Sequence, residues 1–203
     1  MKKAFTLAEI LITMGIVGVV SALTIPALNQ SWQKQAYVTQ LRKVYSEVAQ
    51  AAVRLKTDRN VQSLAEARID SNNLYREFVH KYFEVIRSCS GFSGCFADSY
   101  KTVEGVTVVP KLATFDTCST VVLASGAALC ARVGNNHRIR IIVDVNGKKD
   151  PNILGRDVFA MEVFTDGRVL DVDDGQTFNK NATTVRETHA LGQIIKDGWK
   201  MTY

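Results

Sequence analysis

The sequence predicts an α+β fold in which a long N-terminal helix packs on a small antiparallel β-sheet domain. An uncharged apolar run extends from Ile10 to Leu28. An amphipathic helical pattern follows from Asn29 to Asp58 with no Gly or Pro to interrupt it. Short β-rich segments separated by turn residues occupy much of the second half of the chain. Helix first and strands afterwards is an order typical of α+β domains.

The apolar run is long enough to cross a membrane as a helix. At about 1.5 Å per residue it spans ~28 Å, near the thickness of the hydrocarbon core. Lys2 and Lys3 precede the run, and the next basic residue is Lys34. The positive-inside rule then places the N-terminus in the cytoplasm and the rest of the chain outside. We therefore expect a single-pass precursor with an extracytoplasmic C-terminal domain.

Three interpretations of this N-terminal segment compete: an ordinary signal peptide, an uncleaved anchor, and a short basic leader that is cut off ahead of a retained apolar helix. The small residues Val20-Ser21-Ala22 offer a site where a signal peptidase could cut. Glu9 favours the third interpretation, because a carboxylate deep in an apolar segment costs roughly 2.5–3.5 kcal/mol on insertion scales. Neither a signal peptide nor a plain anchor gains from that charge, so Glu9 indicates a function with a charged partner.

The apolar helix is preceded by the motif Ala4-Phe5-Thr6-Leu7-Ala8-Glu9. This motif resembles the prepilin cleavage and N-methylation motif of type IV pilins and type II secretion pseudopilins. The resemblance implies that prepilin peptidase cuts between Ala4 and Phe5 and methylates the new amino group of Phe5. It also implies that Glu9 pairs with this ammonium on a neighbouring subunit, which favours the correct register during assembly. Ala4 stands where the family usually has Gly, which predicts slower cleavage.

Pattern and resemblance together divide the chain into four parts. They are a leader (1–4), a transmembrane and filament-core helix (5–28), an amphipathic stalk continuation (29–58) and an extracytoplasmic globular α+β domain (59–203). Pro26 lacks a backbone donor, which predicts a kink or local melting. In the family, a proline at this depth is associated with helix unwinding inside the filament, so the resemblance gives Pro26 a role in assembly.

The resemblance also implies partners and a location. The partners are prepilin peptidase, other pilin or pseudopilin subunits, an assembly ATPase and an inner-membrane platform. We expect the precursor in the bacterial inner membrane and the assembled product in a cell-surface or periplasmic filament. The sequence does not choose between a pilus, a secretion pseudopilus and a DNA-uptake filament.

The rest of the chain predicts an amphipathic stalk helix followed by short helices and strands. The stalk carries apolar residues at spacings of three and four, namely Tyr37, Leu41, Val44, Val48, Ala52 and Leu55. This stripe predicts packing on the domain's own sheet, with a coiled-coil dimer as the weaker alternative. A second helix is predicted from about Leu74 to Ile86. The predicted strands and the closing helix are Thr120–Ala124, Ala128–Val133, Arg138–Val143, Val158–Phe164, Arg168–Val172 and residues 190–200.

Four cysteines in an exported chain indicate disulfides. We expect the pairs Cys89–Cys95 and Cys118–Cys130, because both are local in sequence. The first would close a tight loop, which stabilises by roughly 2 kcal/mol in the chain-entropy model. The second would flank a predicted hairpin. Free buried thiols are the alternative.

A loop between two predicted strands is rich in side-chain oxygens. The candidate ligands are Asp144, Asn146, Asp150, Asn152 and Asp157. Such a loop could hold Ca²⁺, which takes six to eight oxygens, and some pseudopilins carry a calcium site in a loop of this region. The alternative is purely structural, because Asn-Gly and Pro-Asn form turns. Lys148 and Lys149 also disfavour a cation.

The sequence shows no catalytic constellation, so we expect no enzymatic activity. His80, His137 and His189 are scattered, and neither a Gly-x-Ser-x-Gly motif nor a phosphate loop occurs. The net charge is +5, and removal of the two leader lysines leaves +3. That charge is too small to indicate nucleic-acid binding, and we expect the basic stretch His137–Arg140 to be a solvated strand face. We predict a structural filament subunit; the alternative is an exported binding domain delivered by a signal peptide or anchor.

Overall fold

The computed structural model describes residues 6–108, 118–173 and 175–203. The chain forms two compact units, one ending at Ala36 and the other comprising Tyr37–Tyr203. The described part of the first unit is almost entirely helical, and the second unit combines helices with an antiparallel sheet. The predicted α+β class is confirmed.

The longest element is helix α1, Leu7–Arg59. It ends one residue beyond the predicted stalk boundary at Asp58, and Asn60 then takes a left-handed backbone with φ 50° that does not continue a helix. From Tyr37 onward the predicted stripe is buried, with Leu41, Val48 and Leu55 at 0% exposure. Burying one such side chain stabilises by roughly 1.5–3 kcal/mol. This face therefore holds the second half of α1 on the domain's own sheet, as predicted.

Within the described residues, eight strands follow α1. They are β1 Val85–Cys89, β2 Tyr100–Lys101, β3 Thr107–Val108, β4 Ser119–Leu123, β5 Ala128–Val133, β6 Ile139–Asp144, β7 Val158–Val163 and β8 Val169–Leu170. The main antiparallel sheet has the order β1-β4-β5-β6-β7-β8, and β2 pairs with β3 in a separate small sheet. Strands β4 to β8 thus form a meander in chain order, which matches the predicted strands.

Both faces of the sheet are covered by buried cores. Alternate side chains of a strand point to opposite faces, so neighbouring residues of one strand belong to different cores. On β6, Ile139, Ile141 and Val143 lie in the core that contains the α1 stripe. Ile142 lies instead in a second core with Phe96, Tyr100 and residues of β5 and β7. Asp144, the first residue of the candidate loop, is two positions after Ile142 and therefore lies on the same second face.

The predicted helix Leu74–Ile86 is wrong in its second half. A π-helical turn, Tyr75–Val79, leads into a short helix α2, His80–Tyr82, and Phe83 is already extended. Strand β1 begins at Val85, whose partner on β4 is Leu123. The β-branched residues that completed the apolar helical pattern are also good strand formers, and pairing with β4 decides their conformation.

Short helices complete the fold, and both predicted disulfides are present. Helix α3 is Phe92–Cys95, and helix α4, Ala190–Lys196, is followed by Gly198 with φ 66°. Cys89 is bonded to Cys95 and Cys118 to Cys130, with Cα atoms 5.9 and 5.6 Å apart. The first bridge ties the end of β1 to α3, and the second ties the start of β4 to β5.

Candidate functional site

The first unit exposes its apolar side chains. Leu11, Val17 and Leu23 are 64%, 63% and 74% exposed, and their aliphatic neighbours along α1 are similarly uncovered. By length and composition, this part of α1 could cross a membrane. Exposed apolar surface of this size on one helix is typical of segments that contact a membrane or a partner protein.

A reciprocal capping box begins α1. The backbone N–H of Thr6 donates to Glu9 Oε2 over 2.8 Å, and the N–H of Glu9 donates to Thr6 Oγ1 over 3.2 Å. The Thr6 hydroxyl also donates to Glu9 Oε2 over 2.9 Å. Glu9 therefore has a local role in starting the helix, in addition to the assembly role that the resemblance implies. The sequence signal for this cap is Thr-x-x-Glu, and the motif analysis missed it.

The structure tells less about the other N-terminal residues to which the resemblance gives a role, namely Ala4, Phe5 and Pro26. Ala4 and Phe5 lie outside the described residues. Helix α1 runs through Pro26, with helical residues on both sides. Because Pro26 has no N–H, one carbonyl in the preceding turn loses its helical partner. Unwinding at Pro26 inside a filament stays a prediction.

A buried carboxylate lies at the end of β6. Asp144 is 0% exposed, and its Oδ2 accepts a 2.6 Å hydrogen bond from the Tyr100 hydroxyl. Its Oδ1 accepts a 3.3 Å hydrogen bond from the N–H of Asn146. Tyr100 lies 44 positions earlier, and no sequence pattern connects the two residues. The second core brings them together.

The rest of the candidate loop contains oxygens that lack hydrogen-bond donors. Asp157 is buried, and its Oδ1 accepts the N–H of Ile153 over 2.7 Å. Its Oδ2 has no hydrogen-bond partner, and neither have the buried Oδ1 atoms of Asn146 and Asn152. Buried acceptors are normally satisfied, and carboxylate and amide oxygens are ligands that Ca²⁺ takes. The unpaired oxygens of these three side chains are therefore chemically suited to act as calcium ligands.

Other features of the loop favour the structural alternative. Both amide groups are used as turn donors: Asn146 Nδ2 donates to the carbonyl of Lys149 over 2.9 Å, and Asn152 Nδ2 to Asp150 Oδ1 over 3.1 Å. Asp150 itself is exposed. Within residues 6–108, 118–173 and 175–203, no three His, Cys, Asp or Glu side chains form a group suited to a metal. Lys148 Nζ bonds to the Ser93 carbonyl.

Burial changes the protonation of the two loop carboxylates. It raises the pKa of Asp144 to about 8, although the Tyr100 hydrogen bond opposes the shift. It raises the pKa of Asp157 to about 6, with the Ile153 N–H opposing. Burial also raises the pKa of the Tyr100 hydroxyl, which keeps this group a donor.

The pKa of Asp144 predicts that the metal-free protein loses stability as pH rises. Its folded pKa lies above the ordinary 3.8, so between about pH 4 and 8 the folded state binds more protons than the unfolded state. Stability is therefore full below this window and falls through it, by up to ~1.4 kcal/mol per pH unit. Melting temperatures measured in EDTA should decline from pH 4.5 to 8. Asp144→Asn should flatten the decline, and an equal slope in that variant would contradict this explanation.

The basic stretch His137–Arg140 is engaged within the domain. Arg140 Nε donates to Glu162 Oε1 over 2.8 Å, and Arg138 Nη1 to Glu162 Oε2 over 3.0 Å. The Arg138 guanidinium also lies 4.1 Å from the centre of the Phe164 ring. The sequence analysis missed Glu162, which is paired with Arg140 across β6 and β7.

The three histidines lie in three different elements of the structure. His80 lies in α2 and His137 in a short 3₁₀ turn. His189 precedes α4 and has a left-handed backbone, and its Nδ1 lies 3.1 Å from the Val172 carbonyl oxygen. The candidate functional features are two and are described separately: the exposed helix with its capped start in the first unit, and the oxygen-rich loop in the second. No protein-family model, no curated protein and no solved structure matches this chain.

Proposed function

We propose that the chain is a structural subunit of a type IV pilus-like filament or a type II secretion pseudopilus. Prepilin peptidase would cut it between Ala4 and Phe5, and the subunit would assemble through α1. The observation that carries the proposal is the sequence of features along α1. A motif with the processing pattern leads into a helix that carries Glu9 in its first turn and whose aliphatic side chains are exposed as far as Leu28.

This arrangement suits a helix that uses two environments in turn. Before assembly, lipid covers the aliphatic side chains; after extraction, the helices of other subunits cover them. From Tyr37 onward the stripe of α1 is covered by its own domain, so this half needs neither environment. The assembly ATPase and membrane platform supply the work, and this chain supplies the helix, Glu9 and the exposed domain.

Fractionation of the native host tests the proposal. The protein should be recovered in sheared surface filaments, or in periplasmic filaments when it is overproduced. Deletion of the assembly ATPase should retain it in the inner-membrane fraction. Recovery as a free exported protein, independent of the ATPase, would contradict the proposal and support the alternative of an exported binding domain.

We also propose that the loop Asp144–Asp157 holds Ca²⁺. Three buried oxygens without donors support this proposal, those of Asn146, Asn152 and Asp157. Bound calcium would supply the missing positive charge and stabilise the ionised carboxylate of Asp157. Asp144, at the start of the loop, would keep the hydrogen bond from Tyr100.

Chelation should lower the melting temperature of the protein by about 5–10 °C. Saturation at 100 times the dissociation constant is worth roughly 2.7 kcal/mol, and for a chain of this size each kcal/mol shifts the midpoint by about 2–4 °C. Thermal unfolding is compared in calcium and in EDTA at pH 7. Asn152→Ala should remove the difference, whereas Asp166→Asn, in another loop, should keep it. An unchanged midpoint in EDTA would count against the calcium site.

A further inference from the structure

The two tryptophans of the chain lie in contrasting surroundings. Trp199 lies edge-on to the Tyr45 ring, with centroids 5.2 Å apart, and the Arg42 guanidinium is 5.6 Å from its centre. Trp32 is 68% exposed, and no ring or cation contact within the described parts of the chain involves it. A large aromatic side chain left bare in a polar stretch indicates a partner outside the chain.

The position of Trp32 along α1 indicates which partner. The apolar run ends at Leu28, and the residues around Trp32 are polar: Asn29, Gln30, Ser31, Gln33 and Lys34. Trp32 lies four residues beyond Leu28, or about 6 Å along a helix. Each interfacial layer of a bilayer is roughly 5–7.5 Å thick, half the difference between a ~30 Å core and a ~40–45 Å bilayer. A run that fills the core therefore places Trp32 in the headgroup layer.

The face of the helix gives the ring the necessary orientation. Residues separated by four and seven positions lie on one side of a helix, so Trp32 shares its face with Leu28 and Ile25. These two side chains are 57% and 59% exposed. The indole thus extends an apolar stripe at its polar end. Its N–H would be free to donate to a lipid carbonyl or phosphate, an arrangement typical of interfacial aromatic belts.

We propose that Trp32 inserts into the headgroup layer of the outer leaflet and sets the depth of α1 in the membrane before assembly. The proposal rests on the membrane-spanning arrangement of the proposed function. The ring's hydrocarbon edge meets the ends of the acyl chains nearest the headgroups, and the N–H meets the polar layer. Movement of the helix in either direction along its axis would place one of these parts in the wrong environment.

Depth-dependent fluorescence quenching tests the proposal on the full chain. Trp199→Phe leaves Trp32 as the sole tryptophan and keeps an aromatic ring against Tyr45. The variant is reconstituted in phosphatidylcholine vesicles that carry bromine either near the glycerol end or near the end of the acyl chains. We expect shallow bromines to quench Trp32 at least about twofold more strongly than deep ones. The matched variant Trp32→Phe, which reports on Trp199, should show no preference.

Two results would overturn the proposal. Stronger quenching by deep bromines would place Trp32 in the hydrocarbon core. Full access to aqueous iodide without quenching by either lipid would place it in water. Co-flotation with the vesicles separates these failures from failure of the proposed function: floating protein with a misplaced Trp32 overturns only the depth assignment. Protein that does not float overturns the membrane-spanning arrangement as well.

Discussion

Replacing Glu9 by alanine is expected to leave the protein in the membrane and to reduce its incorporation into filaments by tenfold or more. An unpaired carboxylate in the bilayer costs roughly 2.5–3.5 kcal/mol, and pairing with the Phe5 ammonium of a neighbour would offset it. Because 1.4 kcal/mol corresponds to a factor of about ten, loss of even half of this preference is measurable. Quantitative immunoblots of sheared filaments against membranes give the ratio.

Two matched variants separate assembly from helix capping. Glu9→Gln removes the charge but keeps a residue that completes a capping box with Thr6, so it should assemble as poorly as Glu9→Ala. Thr6→Ala removes the cap, which involves both Thr6 and Glu9, but keeps the charge. It should assemble nearly as well as the wild type. Normal incorporation of Glu9→Gln would refute the pairing role, and a defect confined to Thr6→Ala and Glu9→Ala would assign Glu9 to capping alone.

Removal of the charge on Glu162 is expected to destabilise the domain strongly. The Glu162 side chain is 2% exposed, and that of its partner Arg140 is 15% exposed. Glu162→Gln would leave Arg140 largely buried without a counter-charge, and breaking a buried pair typically costs about 3–5 kcal/mol. Arg138, which is 36% exposed, can turn to water and reduces the expected loss to roughly 2–4 kcal/mol. Urea unfolding of the full chain in mild detergent measures the change.

The control for Glu162 is an exposed pair in the same domain. Arg168 Nε lies 2.6 Å from Asp166 Oδ2, and the side chains of Asp166 and Arg168 are 49% and 68% exposed. Solvent screens such pairs, so Asp166→Asn should cost less than about 1 kcal/mol. A loss for Glu162→Gln no greater than that for Asp166→Asn would show that the ion pair on the second face of the sheet contributes little.

Much of the fold follows from local sequence patterns. The α1 stripe, the meander from β4 to β8 and both disulfides depend on spacings of a few residues, and a single sequence displays them directly. The segment Leu74–Ile86 was mispredicted because Val85 and Ile86 extend a helical apolar pattern while also suiting a strand. Pairing with β4 decides between these conformations, and β4 begins 30 or more residues later.

The candidate sites divide in the same way. The Thr6–Glu9 cap is a four-residue pattern, so the sequence could have revealed it. The contact between Tyr100 and Asp144 could not be foreseen, because packing of the second core brings together residues 44 positions apart. The same holds for Glu162, whose partner Arg140 lies on the neighbouring strand β6. Long-range side-chain pairs leave no periodic signal in one sequence, since only the fold defines their spacing.

The intact mass and N-terminal peptide of the mature protein from its native host test the central claim most directly. The proposed function predicts a chain that begins at N-methylated Phe5. A chain that begins at Leu23 would show cleavage by an ordinary signal peptidase after Ala22, and it would remove Glu9 together with most of the apolar run. That result would contradict the filament-subunit proposal and leave an exported domain of another function.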